Sequence, residues 1–291
     1  MRVLVTGASG FIGAHLMRRL SGEGHDVLVL PSPRFRAGRL AGLRYHLVER
    51  AGAARAELVY HLASTPLDSA IPASEHTRAI TGGMARLLDE LGAAPPRRKV
   101  IAGSAAEYGS GHAWREDDSP RPDTVFGVAK RAASEMARSS AIPTVQLRMF
   151  TPYGEGEPPQ RLVPSAARAA LASLPLRLRS TGVQTRDYSH VLDVVDALIE
   201  AGRRPLEAGI AINICSGVGR RALDVARRIA QLAGTGTLVE PGGEEPAALA
   251  ESSGDPARAA ALLGWRPRVE LDEGLRRALC WWKQQEKETR S

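Results

Sequence analysis

The run Thr6-Gly7-Ala8-Ser9-Gly10-Phe11-Ile12-Gly13 constrains this chain more than any other stretch. It follows the apolar Val3-Leu4-Val5 and leads into Ala14-His15-Leu16-Met17-Arg18, so a tight turn is expected between a strand and a helix. Its glycines have three separate uses: a turn with unusual dihedrals, close approach of backbone N–H groups to an anion, and tight contact between helix and strand. The first N–H groups of a helix have no partner within it, and in the first βα unit they form a cradle for the pyrophosphate of a dinucleotide. Gly7, Ser9, Gly10, Phe11, Ile12 and Gly13 are therefore the expected contacts of such a cofactor.

Short apolar runs at residues 3–5, 26–30, 58–61, 100–102 and 145–148 alternate with helical patterns at 11–21, 77–91 and 128–139. This alternation predicts an α/β fold, a doubly wound parallel sheet covered on both faces. After Arg161 the rhythm loosens, and Pro164, Pro175 and Gly182 punctuate helical stretches at 166–174 and 191–201. Residues 1–150 are expected to form the dinucleotide-binding domain, with 183–204 returning to it. Residues 151–182 and 205–291 are expected to form mainly a smaller α/β lobe for the substrate, over the carboxyl edge of the sheet. Residues 234–254 read as an exposed loop, and 284–291 as a frayed charged tail.

The second strand ends in Pro31-Ser32-Pro33-Arg34, with Arg36 close behind and no carboxylate to pair with ribose hydroxyls. Ser32 and Arg34 suit a ribose 2′-phosphate, since a guanidinium binds phosphate through paired, charge-assisted hydrogen bonds. NADP is thus preferred to NAD; the alternative is that Arg34 and Arg36 simply open a mobile basic loop. The net charge of +7 is scattered, without an aromatic-interleaved basic stripe, so no nucleic-acid partner is expected. Cys215 and Cys280 are too few for a disulfide framework, and no metal-ligand spacing appears. No apolar signal core and no span of about 18 apolar residues is found, which points to a cytoplasmic protein without membrane insertion.

Further motifs stand in order along the chain. They are His61-Leu62-Ala63-Ser64, Gly103-Ser104-Ala105-Ala106-Glu107-Tyr108-Gly109, Leu147-Arg148-Met149-Phe150-Thr151-Pro152-Tyr153-Gly154 and Arg186-Asp187-Tyr188-Ser189-His190-Val191-Leu192-Asp193-Val194. Asn213-Ile214-Cys215-Ser216-Gly217 and Leu263-Gly264-Trp265-Arg266-Pro267 complete the set. With the glycine turn they resemble, over nearly the whole chain, the extended short-chain dehydrogenase/reductase family of nucleotide-sugar epimerases and dehydratases. The resemblance implies a Rossmann fold with cofactor contacts at Leu62, Ala63, Ser64, Ala102, Gly103, Lys130 and Phe150. It also implies nucleotide-sugar contacts at Ser104, Thr151 and Arg186, and a homodimer built on helices 77–91 and 128–139. A second arginine on the substrate phosphates is not evident in residues 241–248.

In that family a Tyr-x-x-x-Lys pair and a serine carry the chemistry, and the matching positions here are Phe126, Lys130 and Ser104. Phe126 cannot exchange a proton, and none of the tyrosines at 45, 60, 108, 153 and 188 begins such a pair. Three explanations stand: a surrogate proton donor, a non-catalytic dinucleotide sensor keeping the fold, or a substitution carried by this chain. Ser104 is the first surrogate, and Glu107, Tyr108 and Tyr153 are more distant ones. Ala105 and Ala106 stand where the family's dehydratases carry an Asp-Glu pair, which disfavours elimination of water. Epimerisation or ketoreduction by hydride transfer remains. His61 and His190 fall inside strand and helix-entry motifs and read as structural.

Overall fold

The computed structural model describes residues 1–66, 70–243 and 250–290. Its amino-terminal half runs β1 (Arg2–Thr6), α1 (Phe11–Gly22), β2 (Asp26–Leu30), β3 (His46–Leu47), β4 (Leu58–His61), α2 (Ala73–His76), α3 (Gly82–Gly92), β5 (Arg98–Ser104), β6 (Gly111–Trp114) and α4 (Val125–Ser139). The remainder runs β7 (Thr144–Met149), β8 (Thr151–Tyr153), α5 (Leu162–Leu171), β9 (Leu176–Arg177), β10 (Thr185–His190), α6 (Val191–Arg203), β11 (Ile210–Ile214), β12 (Gly219–Arg221), α7 (Ala222–Ala233), β13 (Val239–Glu240), β14 (Ser252–Gly254), α8 (Ala257–Leu263) and α9 (Leu271–Arg290). Seven strands form one parallel sheet in the order β11-β7-β5-β4-β1-β2-β3.

Successive side chains of a strand point to opposite faces, and here both faces are apolar. Val3, Val5, Val27, Val29, Tyr60 and Val100 share one core with Leu16, Met17, Val194 and Leu198 from α1 and α6. Leu4, Leu28 and Val59 face the other way, against Leu87 and Leu91 of α3. Ile101 packs on that side with Phe126, Ala129 and Ala133 of α4. The doubly wound sheet expected from the alternating runs is therefore present; β3 and β11, its two edge strands, are not among those runs.

A second core lies beyond the sheet, where Val163 and Ala167 of α5, Val225 and Ile229 of α7, and Leu275 and Ala278 of α9 enclose Tyr153 and Tyr188. Three small sheets, β12-β10-β8, β13-β9 and β14-β6, frame this part. Residues 210–214 pair with β7 in the main sheet, and Trp265 packs in the sheet's core, its indole donating to Asp193 O at 2.8 Å.

Several local expectations need correction. Residues 234–254 contain β13 and β14, held by pairing to distant β9 and β6; residues 244–249 lie outside the described part. The charged end of the chain continues α9 to Arg290, because Lys, Gln and Glu are good helix formers. The helix expected at 77–91 begins at Ala73, and its first turns include a π-helical segment, Thr77–Thr81.

The start of β5 anchors the helix ends on the amino edge. Lys99, fully buried, donates from Nζ to Ser140 Oγ at 2.7 Å and to Ala137 O at 3.3 Å, closing the end of α4. Arg98 Nη1 donates to Ala201 O at 3.1 Å and Arg97 Nη2 to Gly202 O at 3.2 Å, at the end of α6. Cations suit these negative helix ends.

Candidate active site

Gly7 adopts φ +71°, the left-handed region, and a Cβ there would stand 2.7 Å from Leu62 C and Ala63 N. Its carbonyl accepts the Gly10 N–H at 2.9 Å, and a Cβ on Gly13 would stand 2.1 Å from that oxygen. The turn is thus pressed onto residues 62–63 on one side and onto α1 on the other. Helix α1 has no side-chain cap at Gly10 and no acidic residue in its first turn, whereas α4 is capped by Thr124 and α6 by His190. An uncapped, acid-free helix start at the carboxyl edge fits an anionic group. Ser9 Oγ accepts the Arg36 N–H at 3.0 Å, which brings the loop after β2 beside the turn, and Arg34 is ion-paired with Glu75.

Ser104 ends β5 and caps the short helical turn Ala105–Glu107: its Oγ accepts the Ala106 N–H at 3.2 Å, while its own N–H donates to Glu107 Oε1 at 2.9 Å. A hydroxyl that accepts in this way keeps its proton for another partner. Helix α4 packs closely over the same turn, since a Cβ on Gly127 would stand 2.2 Å from Ala106 O. Phe126 and Lys130, four residues apart, consequently share the face of α4 that meets β5. Lys130 Nζ donates to Ala102 O at 2.9 Å and lies 5.8 Å from the centre of the Phe126 ring. Burial brings its ammonium down to about 8, with Glu107 acting in the opposite sense.

Phe150 is packed against Tyr108, and a Cβ on Gly254 would meet its ring. Thr151 pairs in register with Tyr188, two residues along β10 from Arg186, which donates to Thr185 O at 2.7 Å. Burial lowers the Arg186 guanidinium, and Arg161 works in the same direction. Arg161 is itself held at 2.7 Å by Glu157, a carboxyl that burial raises to about 7.

The three more distant surrogate donors are tied into structural contacts. Glu107, fully buried, accepts from Ser104 N and Gln146 Nε2 and lies 3.4 Å from Arg148 Nε. Tyr108 accepts from Arg148 Nη1 at 2.7 Å and donates to Asn213 Oδ1 at 2.9 Å, and burial pushes its hydroxyl up to about 12. Tyr153 sits edge-on to Tyr188 and His190, and burial raises its hydroxyl too. Removing Glu107 would leave Arg148 buried without its counter-charge. Glu107→Ala is expected to cost about 3–5 kcal/mol, read as a lower urea midpoint with an unchanged slope.

A match to the model for the NAD dependent epimerase/dehydratase family covers residues 3–215, which takes in the glycine turn, Ser104 and Lys130. The chain belongs to that family. It is an enzyme of the extended short-chain dehydrogenase type, with the Rossmann sheet of the family's solved structures. It is 29% identical to UDP-glucose 4-epimerase of Mycolicibacterium smegmatis, over 94% of this chain and 96% of that one. It is 26% identical to UDP-glucuronic acid decarboxylase 1 of Xenopus tropicalis, over 98% and 72%. Among solved structures, MoeE5 in complex with UDP-glucuronic acid and NAD is 28% identical with a TM-score of 0.87, covering 98% of this chain and 100% of that one. A tyrosine-to-phenylalanine mutant of UDP-glucuronic acid 4-epimerase from Bacillus cereus, in complex with UDP-4-deoxy-4-fluoro-glucuronic acid and NAD, is 24% identical with a TM-score of 0.90. It likewise covers 98% and 100% and speaks to the fold alone.

Within this family frame, His61 and His190 have packed partners. His61 Nδ1 lies 2.8 Å from Thr6 Oγ1, and His190 accepts from Leu192 N at 3.4 Å through Nδ1 while Nε2 lies 3.0 Å from Glu155. Burial, with Lys130 and Lys99 nearby, pushes the His61 imidazole from an ordinary 6.5 to about 3. The folded protein then holds it neutral where the unfolded chain protonates it. This contribution is complete above about 6.5 and is lost as pH falls toward 3, because the unfolded state binds the extra proton. Denaturant midpoints between pH 7 and pH 4 are expected to fall, and to fall less steeply in His61→Asn. Equal slopes would show that His61 does not carry the loss. Among the described residues no helix is long and apolar enough to cross a membrane.

Proposed function

We propose that the chain is a nucleotide-sugar epimerase, acting on a UDP-sugar through a transient ketone, with ketoreduction of the same substrate class as the second reading. The carrying observation is that the uncapped start of α1 follows β1, Ser104 ends β5 and the buried Lys130 ammonium lies on the helix after β5, with only β4 between these two strands of one parallel sheet. Relatives of this build are UDP-sugar epimerases and a UDP-sugar decarboxylase, and the Ala105-Ala106 pair supplies no acid and base for eliminating water.

The residues fit a nicotinamide dinucleotide: Gly7, Gly10 and Gly13 leave room for a pyrophosphate, which Ser9, Phe11, Ile12 and the first turn of α1 would hold. Leu62, Ala63, Ser64, Ala102 and Gly103 would line its inner half, and Phe150 would close the pocket behind it. When bound, the cofactor supplies the hydride chemistry. Ser104 would donate to the sugar oxygen, and Lys130 would hold the ribose hydroxyls and place positive charge beside the reacting oxygen. Thr151 and Arg186 would meet the substrate diphosphate where the lobe formed by 151–182 and most of 205–291 borders the dinucleotide domain of 1–150 and 183–204.

Ser32, Arg34 and Arg36, without a carboxylate after β2, favour NADP; the pairing of Arg34 with Glu75 works against it, and solved relatives hold NAD. A homodimer is supported by Val125 and Val128, exposed at 48% and 53% on α4. We place the protein in the cytoplasm.

Titration with NADP(H) and NAD(H), followed by a panel of UDP-sugars, tests this reading. Saturable binding of one dinucleotide and interconversion of a UDP-sugar pair are expected. Neither heat nor fluorescence change with any of the four nucleotides would overturn the cofactor site. Cofactor binding with no turnover across the panel would overturn the epimerase.

A further inference from the structure

Phe126 leaves the expected proton-transfer position without an exchangeable hydrogen, and the packing of its ring points to where one is supplied. His76, the last residue of α2, sets its imidazole edge-on to that ring, with centres 5.7 Å apart and planes at 72°. Its Nδ1 lies 2.7 Å from Thr65 Oγ1, on the stretch that follows β4, and both side chains are buried, at 3% and 5% exposure. Thr65 directly follows the segment 62–64 assigned to the cofactor pocket under the proposed function. The helix departs from α geometry immediately after His76, in the π-helical turn Thr77–Thr81, a feature frequent at functional positions. An imidazole and a hydroxyl thus stand together beside the ring of the missing phenol, where Glu107, Tyr108 and Tyr153 are occupied elsewhere.

We propose that Thr65 and His76 together replace the tyrosine hydroxyl as the proton-transfer group of this enzyme; the inference rests on the epimerase reading above. In the oxidising half-reaction the carbinol C–H bond of the sugar breaks, and its hydrogen leaves with the electron pair for the nicotinamide. The O–H bond breaks with it: the sugar proton passes to Thr65 Oγ1 as the threonine proton passes to His76 Nδ1, leaving a ketone and an imidazolium. In the reducing half-reaction hydride returns to the carbon, and the proton retraces the same path to the oxygen. Nδ1 must therefore be the unprotonated nitrogen of the resting imidazole, which the short contact to a hydroxyl donor allows. Thr65 touches the sugar oxygen, and His76 stores the proton behind it. Ser104 keeps its own task of fixing that oxygen.

The test uses the cofactor-loaded protein and the UDP-sugar that the native chain turns over fastest. Thr65→Val, nearly the same shape, and His76→Gln, which retains a polar contact, are each expected to lower kcat by about 10²–10⁴-fold with cofactor affinity unchanged. Imidazole added to His76→Ala is expected to restore turnover, and Phe126→Tyr is expected to rescue His76→Phe. Independently of activity, the C2 proton resonance of His76 in the native protein is expected to shift when UDP-sugar is added to the loaded enzyme. Should a His76 variant fail to fold, Thr65→Val and this resonance decide the matter. Full turnover in both Thr65→Val and His76→Gln, or an unmoved His76 resonance, overturns the proposal while the epimerase stands. A native protein that turns over no UDP-sugar overturns both.

Discussion

Lys130→Met is expected to lower kcat by about 10²–10⁴-fold while leaving the fold in place. Methionine occupies similar volume and is tolerated in a packed interior, so the Phe126 ring beside it should keep its position. What disappears is the buried cation. Its ammonium donates to Ala102 O, a neutral carbonyl, and burial has already brought it down to about 8. A charge kept under those conditions in a candidate site is a functional signature, because a purely structural lysine would gain from replacement by an apolar side chain. Without a tyrosine at 126, Lys130 still sets a cation 5.8 Å from the centre of that ring. The measurement is kcat and cofactor affinity beside the unfolding midpoint. An active Lys130→Met protein of unchanged cofactor affinity would reduce Lys130 to a plug beneath the sheet edge.

The second large effect is expected at the phosphate turn. In Gly13→Ala the new methyl would stand 2.1 Å from Gly7 O and 2.8 Å from Ala8 O, both backbone atoms that cannot swing aside. Overpacking of this kind costs about 1–3 kcal/mol, and the structure can relieve it only by opening the turn. Dinucleotide affinity is expected to fall by about 10–100-fold at least, the same free energy expressed in binding. Gly22→Ala, at the far end of the same helix with no atom within 4 Å of the new Cβ, is the control. It is expected to keep binding and to raise stability by up to about 1 kcal/mol. Equal affinities in the two variants would remove the turn from the binding site.

The glycine turn and the strands were readable because their signals are local: a spacing of three glycines, and runs whose alternate side chains meet opposite cores. Glu107 shows where that legibility stops. In sequence it is a carboxylate in a small turn, open to a reading as a proton donor. In space, Gln146 and Arg148, about forty residues away on β7, close around it. Thr65 and His76 escaped notice for a similar reason: a lone histidine in a helical stretch carries no pattern, and only folding brings it to Phe126. Arg34 could be seen as a phosphate ligand but not as the partner of Glu75, because that pairing joins two separate crossovers. Lys, Gln and Glu in the last residues suggested a loose end when weighed by charge; weighed by helix propensity they continue α9.

Strand β5 and the turn that follows it hold α4 at both extremities, through Lys99 at Ala137 and Ser140 and through the Ala106 carbonyl under Gly127. A helix riveted twice to one central strand cannot slide or tilt separately from it. The spacing between Ser104 and Lys130 is then a fixed gauge, and any adjustment to ligands of different size falls to the outer lobe. Amide protons of α4 should accordingly exchange with deuterated solvent only when the whole sheet opens.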